Sequence, residues 1–151
     1  MTKLFRLAKK QYANDIFGTG GLYYAGRWHR KGVQILYTSQ HASLAVLEVL
    51  ANSERLPQNE YLVTFQIPES ASILKLNEEN LPKSWKNLPY PDELANFSEK
   101  WLQEAKYWIM QVPSIHAKNE FNFLLNPLHT EHKNLEILNI EQYTFDTRLK
   151  S

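Results

Sequence analysis

Between Leu44 and Ala51 the chain reads LAVLEVLA, apolar at every position except Glu48 and free of glycine and proline. A helix that is apolar nearly all round needs cover on several sides, so the rest of the chain must be built around it. Ser39 stands ahead as the expected N-cap of a helix over about Ala42 to Asn52. A carboxylate in such a helix is costly unless it is paired, hydrogen-bonded or protonated. Glu48 therefore needs something specific to face.

Most of the remaining periodic segments are of strand type. LFRLA near the start, VQILYTS (Val33 to Ser39), YLVTFQI (Tyr61 to Ile67), SILKL (Ser72 to Leu76), WIMQVPS (Trp108 to Ser114), FNFLL (Phe121 to Leu125) and LEILNIEQYTF (Leu135 to Phe145) are rich in β-branched and aromatic residues. A second helix is expected from about Glu93 to Lys106, capped by Asp92. Between them, NEENLPKSWKNLPYPDEL carries Pro82, Pro89 and Pro91 and reads as an irregular excursion. Strands outnumber helices and do not alternate with them, which predicts a compact β-rich α+β domain with a few helices.

The totals exclude several classes of function. The 151 residues suit one domain, taken here as 1–151. There is no cysteine, which removes disulfides, thiolate metal sites and a Cys nucleophile. Seventeen basic and 16 acidic side chains give a net charge of +1, no basis for direct nucleic-acid binding or an anionic membrane. No apolar run reaches the roughly 18–20 residues of a membrane span, so a soluble, cytoplasmic protein is expected.

All five glycines fall between Gly18 and Gly32, in GTGGLYYAGRWHRKG. The stretch is neither a P-loop nor the dinucleotide fingerprint, since Tyr23 stands where the third glycine of G-x-G-x-x-G belongs. It does present Arg27 among aromatic residues. The guanidinium fork suits phosphate or carboxylate, and aromatic faces suit a flat ring; the alternative is an ordinary flexible hairpin. Arg27, Tyr37 and Glu48 lie on three consecutive elements, and consecutive elements tend to be neighbours in space. Glu48 then either forms a structural ion pair, with Arg27 or another base, or stabilises positive charge developing on a substrate.

VPSIHAKNEFNFLLNPLH is the other informative stretch. Ser114 lacks the G-x-S-x-G setting of a nucleophile, so it reads as a substrate-binding polar residue or a turn starter. His129, Glu131 and His132 form HTEH, but a metal site commonly needs three or four ligands at defined spacing, and a solvated turn is expected instead.

GRWHRKGVQILYTSQHASLAVLEVL followed by VPSIHAKNEFNFLLNPLH resembles the RES-domain family of bacterial toxins. The resemblance runs over roughly residues 4 to 129, with Ala25 and His29 departing from the commoner glycine and asparagine beside GRW. The Arg, Glu and Ser that name the family match Arg27, Glu48 and Ser114, and a further active-site tyrosine matches Tyr37. The resemblance implies an ADP-ribosyltransferase-like fold that consumes NAD+ as substrate, with no other cofactor and no metal. It assigns Glu48, Arg27 and Tyr37 to catalysis, and Arg27, Tyr37, Ser114, Gly26, Trp28 and Asn126 to substrate binding. It also implies an Xre-type helix-turn-helix antitoxin as partner and leaves room for self-association. Glycohydrolysis or phosphorolysis of NAD+ leads; transfer of ADP-ribose to a protein or nucleic acid is the alternative. A β-rich RNA-binding or RNA-cleaving toxin is the reading from another class.

Overall fold

The computed structural model describes residues 1–150. In chain order the elements are β1 (Thr2–Lys9), β2 (Leu36–Ser39), α1 (Ala42–Ala51), β3 (Glu60–Ile67), β4 (Ile73–Lys75), α2 (Asp92–Glu104), β5 (Ile109–Pro113), β6 (Phe121–Leu125) and β7 (Glu136–Tyr143), with short 3-10 turns between. The strands form a seven-stranded sheet in the order β4-β5-β6-β2-β1-β3-β7. Every neighbouring pair is antiparallel except β4 and β5, which run parallel. A parallel pair requires a crossover, and α2 with the Pro-rich excursion supplies it.

Alternation along the strands gives the sheet two faces. Leu4, Leu36, Val63, Phe65, Ile109, Phe123 and Leu125 pack on one. On the other, Met110, Val112 and Leu124 meet Leu94 and Trp101 of α2, with Trp28 and Trp85 beside them. The α+β expectation and each expected strand are matched by an element, with ends moved by a few residues. Asp92 is the first residue of α2, with Pro91 at the N-cap; both acidic residues of the first turn, Asp92 and Glu93, complement the helix dipole.

α1 differs from its sequence reading in two ways. Only Leu44 and Ala45 are buried, and Leu47 is 37% exposed, because the helix packs on β1 and β2 by one side and turns Glu48 and Val49 to a cleft. Nor does Ser39 cap it. His41 holds the N-cap without a side-chain bond, and Ser39, the last residue of β2, donates its hydroxyl to Asn122 Oδ1 at 2.8 Å. The C-terminal end of α1 is tied by Lys150, whose ammonium donates to the carbonyls of Leu50 and Ser53, acceptors that a helix end leaves open.

HTEH is a packed turn, not a solvated one. His132 lies in a 3-10 turn (Thr130–Asn134) and is 5% exposed. Its Nδ1 accepts from Trp108 Nε1 at 3.0 Å, which makes Nε2 the protonated nitrogen that donates to the Ile16 carbonyl at 2.7 Å. His129 Nδ1 accepts from the Glu131 backbone N–H. Both histidines are engaged by the fold.

Candidate active site

A cleft of about 1120 Å³ opens between α1, the glycine-bearing loop and the Pro-rich excursion, ample for a ligand larger than a drug-sized molecule. Arg27, Tyr37 and Glu48 all line it. The sheet explains the convergence. Tyr37 of β2 lies opposite Leu124 of β6, and two residues along each strand Ser39 lies opposite Asn122, so Tyr37 and Asn122 project from the same face. α1 lays Glu48 over that face.

Glu48 is held by its Oε1. Ser114 Oγ–H donates to it at 2.9 Å and Asn122 Nδ2 at 2.7 Å. The other oxygen, Oε2, has a longer contact of 3.5 Å with His116 Nε2, which leaves it able to face a ligand. The Ser114 oxygen also accepts from the backbone N–H groups of His116 (3.0 Å) and Ala117 (3.2 Å). With its lone pairs so engaged and its proton on Glu48, Ser114 orients the carboxylate and has no capacity to act as a nucleophile. Buried at 5% exposure, it reaches the cleft only through Glu48.

Arg27 stands apart from Glu48: among the described residues no salt bridge joins them. Its Nη1 donates to the carbonyls of Trp85 (2.6 Å) and Asn87 (3.2 Å), and the guanidinium lies 4.7 Å from the Tyr90 ring centroid. Burial pulls its pKa below the ordinary arginine value, with Tyr90 and Glu48 pulling it back up. Nε and Nη2 have no protein partner among the described residues, so half of the fork is free to meet an anion or a hydroxyl. The excursion that reads as irregular in the sequence is thus one wall of the cleft, clasped by Arg27.

Tyr37 donates its hydroxyl to His29 Nδ1 at 2.6 Å, and His29 Nε2 donates to the Tyr24 carbonyl at 2.8 Å. That second bond fixes the imidazole tautomer so that Nδ1 can only accept. Burial lowers the His29 pKa and pushes the Tyr37 phenol far above its usual range. The pair stays neutral. Gly26 is required by this packing, since a Cβ there would lie 2.7 Å from His29 Cε1 and 3.3 Å from the Tyr37 hydroxyl. Gly18 is required by backbone: its φ is +62° and a Cβ would meet the Ile35 carbonyl oxygen at 2.2 Å.

The remaining sequence candidates divide. Trp28 lines the cleft but is 4% exposed and belongs mainly to the core beneath it. Asn126 is not brought to the cleft; its Oδ1 accepts from the Leu128 N–H and closes the turn after β6. Leu22, Tyr23 and Tyr24 of the glycine-bearing loop are 38%, 63% and 75% exposed. Sequence reading missed Asn122, His116, His29 and Tyr90. Only Asn122 left a signal, as the one polar residue inside the apolar strand FNFLL.

The chain that carries this cleft has relatives. The RES domain family model matches residues 3–146, further toward the C-terminus than the motifs alone suggest. A protein named Prs ADP-ribosylating toxin from Sphingobium sp. (strain YBL2) is 32% identical over 146 residues, covering 94% of this chain and 91% of that protein. A protein named Toxin Res from Yersinia enterocolitica is 31% identical over 150 residues, covering 97% and 99% respectively. In three dimensions the chain resembles a chain from the crystal structure of the M. tuberculosis MbcT-MbcA toxin-antitoxin complex, with a TM-score of 0.74 at 13% identity, covering 95% of this chain and 84% of that one. That last likeness concerns the fold. Sequence motifs, family model and full-length relatives agree, and the chain belongs to the RES-domain family.

Proposed function

We propose that this chain is the toxin of a toxin–antitoxin pair and acts in the cytoplasm by cleaving the nicotinamide–ribose bond of NAD+. The observation that carries the reading is the cradle around Glu48: two donors bind one carboxylate oxygen and leave the other toward a cleft shared with Arg27 and Tyr37. Cleavage breaks the bond between ribose C1′ and the pyridinium nitrogen. The electron pair leaves with neutral nicotinamide, and positive charge develops on the ribose, as in glycoside cleavage. A fixed carboxylate beside that ribose stabilises the charge where it forms. The free edge of the Arg27 fork suits the pyrophosphate or a ribose hydroxyl. Tyr37, neutral and held by His29, offers a ring face to nicotinamide.

Incubating the purified protein with NAD+, with and without inorganic phosphate, tests the reading. Nicotinamide plus ADP-ribose, or its phosphorylated form when phosphate is supplied, is the expected product set. Intact NAD+ with salt-sensitive RNA binding would favour the RNA-directed alternative, which the +1 net charge disfavours. The name of the Sphingobium relative favours a second reading, in which a macromolecule accepts the ADP-ribose. Labelled NAD+ incubated with cell extract separates the two, since only the second leaves label on protein or nucleic acid.

We further propose an Xre-type helix-turn-helix antitoxin as partner. Support comes from the complex in which the structural neighbour was crystallised and from exposed apolar side chains, Leu88 at the cleft rim and Tyr24 next to it in the loop. Such a partner covers the cleft and competes with NAD+. Co-expression that fails to relieve growth arrest, or a complex that degrades NAD+ at the free rate, rejects this.

A further inference from the structure

Glu48 is not aimed by its own helix alone. Asn122 gives it the shorter of its two hydrogen bonds, 2.7 Å from Nδ2 to Oε1. An amide presents a donor on one side and an acceptor on the other, and only the donor side can face a carboxylate. Glu48, which can only accept, demands the donor side, and the Ser39 hydroxyl satisfies the acceptor left on the other side by donating to Asn122 Oδ1 at 2.8 Å. Ser39 and Asn122 are directly opposed on the antiparallel strands β2 and β6, a cross-strand pair whose Cβ atoms lie about 4.5–5.5 Å apart. Next to them, the Gln40 N–H donates to the Phe121 carbonyl (3.1 Å) and the Phe121 N–H to Gln40 Oε1 (3.2 Å), so the register cannot slip at this point. Ser39 is 5% exposed and Asn122 is half-buried where both line the cleft.

We infer that Ser39 and Asn122 are positioning residues: the register of β2 on β6 locks the Asn122 amide with its donor toward Glu48, and so holds the carboxylate at the reacting centre. The inference rests on the NAD+-cleaving reading for its kinetic consequences. Neither side chain needs to touch the substrate for this role. The relay has a direction, from Ser39 hydroxyl to Asn122 carbonyl and from Asn122 amide to Glu48. Ser114 anchors the same oxygen independently, so loss of the relay weakens the aim of Glu48 without releasing it.

The test compares Ser39→Ala, Ser39→Thr and Asn122→Ala with wild type in steady-state NAD+ consumption. A carboxylate that acts on developing charge contributes in the transition state and little to substrate binding. Ser39→Ala is expected to lower kcat about tenfold and Asn122→Ala about a hundredfold, with KM within about twofold, since small misplacements of a catalytic group act on this scale. Ser39→Thr keeps the hydroxyl and is expected to restore most of kcat. A wild-type kcat in Ser39→Ala, a loss carried by KM, or a failure of Ser39→Thr to rescue overturns the inference. A second readout needs no turnover: the side-chain amide signals of Asn122 in the NMR spectrum of the free protein. They should move in Ser39→Ala and in Glu48→Gln; unchanged signals in both overturn the relay even if wild type spares NAD+. Failure of wild type to consume NAD+ rejects the proposed function instead.

Discussion

Replacing Glu48 by Gln is the most direct trial of the cleft chemistry. The amide keeps the shape of the carboxylate, and its oxygen can still accept from Ser114 and Asn122. Its NH2 must then occupy the Oε2 position, turning a donor toward the cleft where positive charge would develop. Because the Glu48 side chain keeps 24% exposure, an effective dielectric near that of a protein surface applies. A carboxylate about 4 Å from a developing unit charge is then worth about 4 kcal/mol. At about 1.4 kcal/mol per factor of ten, the variant should turn over NAD+ about a thousandfold more slowly. Stability should change far less. Two charge-assisted hydrogen bonds become neutral ones, a loss of about 1–2 kcal/mol, or roughly 2–8 °C in melting temperature for a chain of this size. The assay pairs nicotinamide release with thermal denaturation. A folded Glu48→Gln protein working at more than about a tenth of the wild-type rate would refute the electrostatic role. One that does not fold would show that Glu48 serves structure.

Three further perturbations follow from the geometry. Arg27→Lys loses the planar guanidinium whose Nη1 joins the Trp85 and Asn87 carbonyls while its other edge is left for substrate, so it should weaken NAD+ binding and also lower the melting temperature, a stability cost that the sequence alone does not suggest; wild-type kinetics and melting would show that the fork is unused. Gly26→Ala should push His29 away from Tyr37, costing about 1–3 kcal/mol of stability and reducing turnover; a variant crystal structure with the 2.6 Å Tyr37–His29 bond intact would contradict this. Burial lowers the pKa of both His29 and His132 below the ordinary 6.5, so the unfolded chain binds the more protons. Stability from these groups is complete above about pH 6.5 and is lost as pH falls through the lowered folded values. Melting curves from pH 7.5 down to 5 should show this decline, with a shallower slope in His132→Gln.

The parts of the fold set by local pattern were legible from residues. The strands of alternating or continuous apolar type and both helices could be placed, because periodicity reports burial directly. What local pattern misses is long-range. Ser39 looks like a helix cap from its neighbours, yet its partner, Asn122, lies 83 residues away. The Pro-rich excursion carries no periodicity, so nothing in it announces that its carbonyls meet Arg27 58 and 60 residues off. Glu48 stood out because a lone carboxylate in an apolar helix has few innocent explanations. Asn126 reads from its motif like Ser114, but the turn after β6 directs it inward. His29 and His132 also escaped, since a satisfied core histidine leaves no mark that distinguishes it from an exposed one.

The dispersal of the cradle along the chain bears on synthesis. Glu48 precedes its two anchors by 66 and 74 residues, and β2, which holds Ser39 and Tyr37, finds one of its neighbours only in β6. A ribosome adding about 5–20 residues per second therefore exposes the helix bearing Glu48 seconds before the strand that aims it. Any nascent fragment ending before Phe121 lacks Asn122, and with it the register that orders the cleft. Pairing between strands so distant in sequence is also slow to form. The working site is thus a late product of translation, and premature termination yields fragments without a cradle.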